Sequence, residues 1–218
     1  MNKADISNII MQQAVLPLFF HKDSTVCTEV MRSLYGAGIK AIEYTNRGEA
    51  AFANFKQMKA VRDAELPGLF IGIGTIKNRN QARAFIEAGA DYLISPGLVA
   101  EVAEEAAASG TLYSPGCMTP SEIIAAENMG LDLIKIFPGN VLGTGFISAI
   151  KEIFPSVSFM VTGGVEPTED NLKGWFNAGV SAVGMGSKLI TKQLLEAKDY
   201  EGLEKATAQL LTLISKVR

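Results

Sequence analysis

Histidine is almost missing from this chain. There is one, His21, among 218 residues, so a metal centre built from clustered imidazoles cannot be assembled within one chain. A site made only of carboxylates stays open. Cysteine is nearly as scarce. Cys27 and Cys117 lie far apart and fit no pair motif, the pattern of free thiols in a reducing cytoplasm rather than of a disulfide framework. No apolar run approaches the ~18 residues of a membrane span. The opening Met1-Asn2-Lys3-Ala4-Asp5 carries an acid and runs into a mixed helical pattern, unlike a secretory leader. Positive charge is not in excess either. Against 23 acidic residues stand 20 basic ones, a net charge of −3, so nothing favours nucleic acid as a partner. Linkers and low-complexity stretches are also lacking, so one domain spanning 1–218 is expected. What the chain does have is 48% hydrophobic residues, enough for one large core.

The first pattern is a repeat. Tyr35-Gly36-Ala37-Gly38-Ile39 is a helix end, a glycine and the approach to a strand, and Glu87-Ala88-Gly89-Ala90-Asp91 repeats it. Glycines 110, 130 and 179 stand in the same setting, before Thr111, Leu131 and Val180. Glycine just past a helix takes the left-handed cap conformation, and the chain then enters a strand. Apolar runs place eight strands at 15–19, 41–44, 69–73, 92–95, 111–114, 131–137, 157–162 and 181–185. Between them, Val26, Val30 and Leu34 recur on one helical face. Thr119-Pro120-Ser121-Glu122 reads as a capping box with proline at the first helical position. Extra helices are expected at 3–13 and 200–216. Eight strand–helix units argue for a closed (β/α)8 barrel with an added N-terminal helix. A doubly wound open sheet is the alternative, but Gly72-Ile73-Gly74-Thr75 has two glycines and no third, a poor nucleotide fingerprint.

Barrel chemistry sits at the carboxyl ends of the strands. The second strand ends Glu43-Tyr44-Thr45-Asn46-Arg47. Glu43, Thr45 and Arg47 share one parity and point inward. Glu43 and Arg47 are then either a structural pair or an acid/base beside a carboxylate clamp. The third strand ends Gly72-Ile73-Gly74-Thr75, where glycine lets something approach the backbone and Thr75 offers a hydroxyl. Ser95-Pro96-Gly97 and Ser114-Pro115-Gly116 are explained by turn formation alone. The sixth strand, Leu131-Asp132-Leu133-Ile134-Lys135-Ile136-Phe137-Pro138, carries one lysine among apolar neighbours. Such a lysine either snorkels to water or is a desolvated amine nucleophile. The seventh and eighth ends, Thr162-Gly163-Gly164 and Gly184-Met185-Gly186-Ser187, expose backbone N–H groups. With a short helix starting near Ser187, they would bind phosphate. His21, just after the first strand, reads as a mouth or surface residue.

Taken in order, Ile42-Glu43-Tyr44-Thr45-Asn46-Arg47, Gly72-Ile73-Gly74-Thr75, Ser95-Pro96-Gly97, Pro115-Gly116-Cys117-Met118-Thr119-Pro120-Ser121-Glu122, Ile134-Lys135-Ile136-Phe137-Pro138, Thr162-Gly163-Gly164 and Gly184-Met185-Gly186-Ser187 resemble the 2-keto-3-deoxy-6-phosphogluconate (KDPG) aldolase family, which includes 4-hydroxy-2-oxoglutarate aldolases. The resemblance spans nearly the whole chain. It implies a cytoplasmic, homotrimeric (β/α)8 enzyme that needs no metal or other cofactor. Such an enzyme cleaves a 2-keto-3-deoxy sugar acid to pyruvate and an aldehyde such as glyceraldehyde 3-phosphate. By the same resemblance Lys135 matches the Schiff-base lysine and Glu43 the acid/base. Arg47 and Thr75 match groups at the pyruvate carboxylate, Pro96 and Phe137 the pocket walls, and Gly163, Gly164, Gly186 and Ser187 the phosphate end. The chain departs from the family at Gly139 and Asn140, where alanine and glutamate are usual, and at Met185, which separates two glycines that are usually adjacent. Two other readings share the glycine-rich strand ends: a sugar-phosphate isomerase or epimerase using Glu43 as base, and a non-catalytic phosphosugar-binding barrel.

Overall fold

The computed structural model describes residues 3–218. Its strands are β1 Val15–Phe19, β2 Ala41–Thr45, β3 Phe70–Gly74, β4 Tyr92–Ile94, β5 Leu112–Ser114, β6 Gly116–Cys117, β7 Leu133–Ile136, β8 Ser158–Thr162 and β9 Ala182–Met185. The helices are α1 Lys3–Gln13, α2 Ser24–Gly36, α3 Ala51–Glu65, α4 Arg79–Glu87, α5 Ala100–Ser109, α6 Pro120–Asn128, α7 Gly139–Lys151, α8 Glu169–Asn177, α9 Lys192–Ala197 and α10 Tyr200–Val217. All strand pairs are parallel, in the order β5-β4-β3-β2-β1-β9-β8-β7-β6. The fold is a (β/α)8 barrel.

Nine strands occupy eight barrel positions because the fifth is broken. Proline has no N–H to give, and Pro115 separates β5, which pairs with β4, from β6, which pairs with β7. The Pro115 carbonyl still accepts from the Lys135 backbone N–H at 2.9 Å, so the barrel closes across the break. Local signals in the sequence hold elsewhere. The Thr119–Glu122 capping box forms with Pro120 in the first turn of α6. The five repeat glycines, 38, 89, 110, 130 and 179, all have φ between 71° and 104°, the region that only glycine enters without strain.

Two apolar layers result. Outward strand residues pack under the helices: Val15, Ile42, Tyr44, Ile71, Ile134, Val161, Val183 and Met185 belong to that shell. Inward residues form a smaller cluster with Leu16, Ala41, Tyr92, Leu112, Leu133, Met160 and Ala182. Ile6 and Ile10 of α1 join this inner cluster. The first helix therefore plugs the amino-terminal end of the barrel, and each buried isoleucine contributes roughly 1.5–3 kcal/mol before entropy is counted. The period of two along each strand then decides which later residues face inward at the open end.

Candidate active site

Two residues beyond the inner apolar layer, the interior turns polar. Lys135 follows Leu133 on β7 and is 6% exposed, and Glu43 follows Ala41 on β2 and is 1% exposed. Their strands are not neighbours, so the side chains meet across the barrel. Lys135 Nζ lies 3.4 Å and 3.5 Å from the two Glu43 carboxylate oxygens. It also sits 5.7 Å from the centroid of the Phe137 ring. The sequence left Glu43 between Arg47 and a free role. In the structure its ionic partner is Lys135.

Glycines on β3 make room for this arrangement. A Cβ on Gly74 would lie 1.8 Å from Glu43 Oε1, and one on Gly72 would lie 1.9 Å from the Tyr92 ring. The Glu43 carboxylate thus rests against bare backbone. Thr75 follows with φ 64°, an unusual value for a β-branched residue. Tyr92 floors the site, its hydroxyl donating to the Ile42 carbonyl at 2.5 Å. Burial first, and the nearby Glu43 carboxylate second, push that phenol well above its ordinary range, so it stays neutral. Two hydroxyls that flank the lysine strand have no hydrogen-bond partner among the described residues: Ser114 Oγ and Thr162 Oγ1 are both buried. Each follows an inner-cluster residue, Leu112 or Met160, by two positions. A buried hydroxyl left unpaired costs about 1–3 kcal/mol, and a polar ligand is one thing that can satisfy it.

At the exits of β1, β8 and β9 opens a cavity of about 750 Å³, whose lining includes Arg47, Gly163, Gly164, Gly186, Ser187 and His21. Thr162 lines it as well and so connects it to the lysine strand. Phe137 lies by Lys135 and not on this wall. Thr75 and Pro96 stand at the exits of β3 and β4, also off the cavity lining. Two lysines on the cavity are already paired, Lys188 with Glu166 at 2.7 Å and Lys192 with Glu196 at 3.5 Å. Arg47 is exposed and makes no ion pair among the described residues.

One sequence expectation changes here. No helix begins near Ser187. The chain makes a tight turn in which the Gly186 carbonyl accepts from Leu189 and Ile190, both at 2.9 Å, and α9 starts only at Lys192, capped by Thr191. A helix end therefore adds nothing to anion binding at Ser187, which leaves backbone N–H groups and the hydroxyl. Met185 does not intrude on the cavity, because odd positions of β9 face the outer shell, where it is buried. Gly184 and Gly186 face inward on either side of it. The change at Gly139 has a steric cause. A Cβ there would lie 2.4 Å from Val161 Cγ2 and 2.6 Å from the Gly163 carbonyl. Asn140 packs on the same glycine pair, 3.0 Å from where a Gly164 Cβ would be.

Sequence reading missed Gly74, Ser114 and Thr162 as individual site residues. Counting in twos from Leu112 and Met160 would have pointed to both hydroxyls.

Comparison with known proteins gives the chain's relatives. The family model described as "Aldolase: KDPG and KHG aldolase" matches residues 6–206. The KHG/KDPG aldolase of Escherichia coli (strain K12) is 32% identical over 206 residues, covering 93% of this chain and 93% of its own. The 2-dehydro-3-deoxy-phosphogluconate aldolase of Pseudoalteromonas atlantica is 30% identical over 210 residues, covering 95% and 94%. A solved 4-hydroxy-2-oxoglutarate/2-dehydro-3-deoxyphosphogluconate aldolase from TTHB1 superposes with a TM-score of 0.82 at 32% identity, over 98% of this chain and 99% of that one.

Proposed function

Since the chain belongs to the KDPG and KHG aldolase family, whose members are carbon–carbon lyases, we propose that Lys135 is its Schiff-base nucleophile and Glu43 its proton carrier. The observation that carries this is the buried contact between them, 3.4 Å long, made across the barrel interior by residues of two strands that are not neighbours. Family membership sets aside the isomerase and the purely binding readings.

The chemistry balances as follows. The Lys135 amine adds to the C2 ketone, and loss of one water leaves an iminium. A base takes the C4 hydroxyl proton, the C3–C4 bond breaks, and its electron pair flows into the iminium. An aldehyde departs and an enamine stays. Return of a proton to C3 and addition of water release pyruvate and restore the amine. The iminium is itself the electron sink, so no cofactor is called for. Glu43, held against Gly74 within reach of Lys135, is placed to move these protons.

The substrate we propose is a 2-keto-3-deoxy sugar acid, with KDPG or 4-hydroxy-2-oxoglutarate as its types. Arg47, at the exit of β2 and without an ionic partner, takes the carboxylate by paired hydrogen bonds, with Thr75 next to it around the rim. Gly163, Gly164, Gly186 and Ser187, at the exits of β8 and β9, take the phosphate of the aldehyde half. Pro96 and Phe137 wall the site on the β4 and β7 side. Borohydride added with pyruvate should leave a covalent adduct on Lys135, seen by peptide mapping, in the presence of a strong chelator. An adduct on a different lysine would reassign the nucleophile.

The chain acts as one domain over 1–218 in a reducing cytoplasm, a reading supported by two buried free thiols. A homotrimer is supported by exposed apolar side chains on the α6 and α7 side, Met118, Ile124, Met129, Val141 and Ile153. Light scattering on the eluted protein should give three chain masses, and a single chain mass would end that proposal.

A further inference from the structure

One wall of the cavity has no part in the scheme above. It is the segment between β1 and α2, which brings Phe20 and His21 to the lining. This segment is unusually well held. The His21 carbonyl accepts from the Tyr44 hydroxyl at 3.0 Å, the Asn54 amide at 3.0 Å and the Cys27 thiol at 3.2 Å. Asn54 also donates to the Lys22 carbonyl at 3.0 Å. The three donors are buried and come from β2, α3 and α2. Burial raises the pKa of both Tyr44 and Cys27, which keeps them protonated as donors.

The imidazole is held through Nδ1, which accepts from the Asp23 N–H at 3.1 Å and lies 3.4 Å from the Asp23 carbonyl, so the turn engages Nδ1 and turns Nε2 to the cavity side. Asp23 in turn caps α2, its carboxylate accepting from Thr25 and Val26. The turn that aims the ring is thus anchored at a helix end. His21 Nε2 has no partner among the described residues. The cavity's lysines are neutralised by Glu166 and Glu196. On this wall His21 is the side-chain N–H left for a ligand.

We infer that His21 is a substrate-binding residue, donating from Nε2 to the oxyanion at the far end of the substrate, whether phosphate or carboxylate. The inference rests on the reading of the β8 and β9 exits as the aldehyde end. A donor at the β1 exit, beside the β9 and β8 exits in the barrel order, would bind the same oxyanion that the glycine backbone approaches.

The test compares His21→Leu and His21→Gln on a phosphorylated keto-deoxy sugar acid, its dephosphorylated counterpart and 4-hydroxy-2-oxoglutarate. Half-exposed His21 can be replaced without emptying the core. His21→Leu should raise KM about tenfold for the charged-ended acid that the wild type prefers, the weight of one hydrogen bond to a charged group. The uncharged-ended acid should change far less, and kcat should fall much less than KM rises. His21→Gln keeps an N–H donor at similar reach and should recover most of the loss. Equal KM changes for all three acids, an unchanged KM in His21→Leu, or no recovery in His21→Gln would each overturn the inference. A wild type that traps pyruvate yet cleaves none of the three overturns it together with the substrate assignment. Failure to trap pyruvate overturns the aldolase reading instead.

Discussion

At the scale of single residues, a carboxylate can be misplaced without being removed. Glu43→Gln keeps shape and loses the base, so turnover should fall about 10²–10⁴-fold while borohydride trapping with pyruvate persists. Gly74→Ala offers a finer cut. Its φ lies outside the left-handed region, so the backbone accepts alanine, but the new Cβ would sit 1.8 Å from Glu43 Oε1. The carboxylate must move by an ångström or more, and a displacement of that size costs about a hundredfold. Steady-state kcat in the two variants decides the matter. If Gly74→Ala turns over like the wild type, Glu43 does not need the position it occupies against β3. Glu43 and Lys135 were each readable from sequence as single residues, because each breaks an apolar strand two places past a buried neighbour. That Lys135 rather than Arg47 would be the partner of Glu43 was not readable, because strand parity gives direction and says nothing about which elements face one another across a barrel.

Among elements, the exits of β8 and β9 differ in how a substitution can be borne. Gly163 and Gly164 have φ of 98° and 73°, so any side chain there strains the backbone as well as the site. Gly186 has no such strain, and its Cβ would come nearest to Leu18, at 3.3 Å or more. Gly186→Val is therefore the cleaner probe. It should raise KM for a phosphorylated acid far more than for the unphosphorylated one, and inorganic phosphate should compete less well than in the wild type. Equal effects on the two acids would mean that Gly186 serves the fold alone. Element positions were legible to within two or three residues because cap glycines and the Thr119–Glu122 box are local signals. The split of the fifth strand at Pro115 and the turn at Ser187 were not. The split depends on a partner far along the chain, Lys135, whereas the turn at Ser187 is closed by Leu189 and Ile190 on the Gly186 carbonyl, a local pattern that begins like a helix and goes no further.

For the whole molecule, the arrangement of layers follows from the alternation of strand residues, and so the barrel was legible early. Its inner contents were less so, because one helix that belongs to no strand–helix unit supplies part of them. That helix has a kinetic meaning. With Ile6 and Ile10 seated in the inner cluster, the barrel is a vessel with a single door, and both products must leave the way the substrate came in. With Lys135 as the proposed Schiff-base lysine, pyruvate would still be tethered when the aldehyde is set free, and the order of departure would be aldehyde first, pyruvate last. Initial-rate studies with added products should then show pyruvate as a competitive inhibitor and the aldehyde as a mixed one. Purely competitive inhibition by the aldehyde would mean that the queue at the door does not exist.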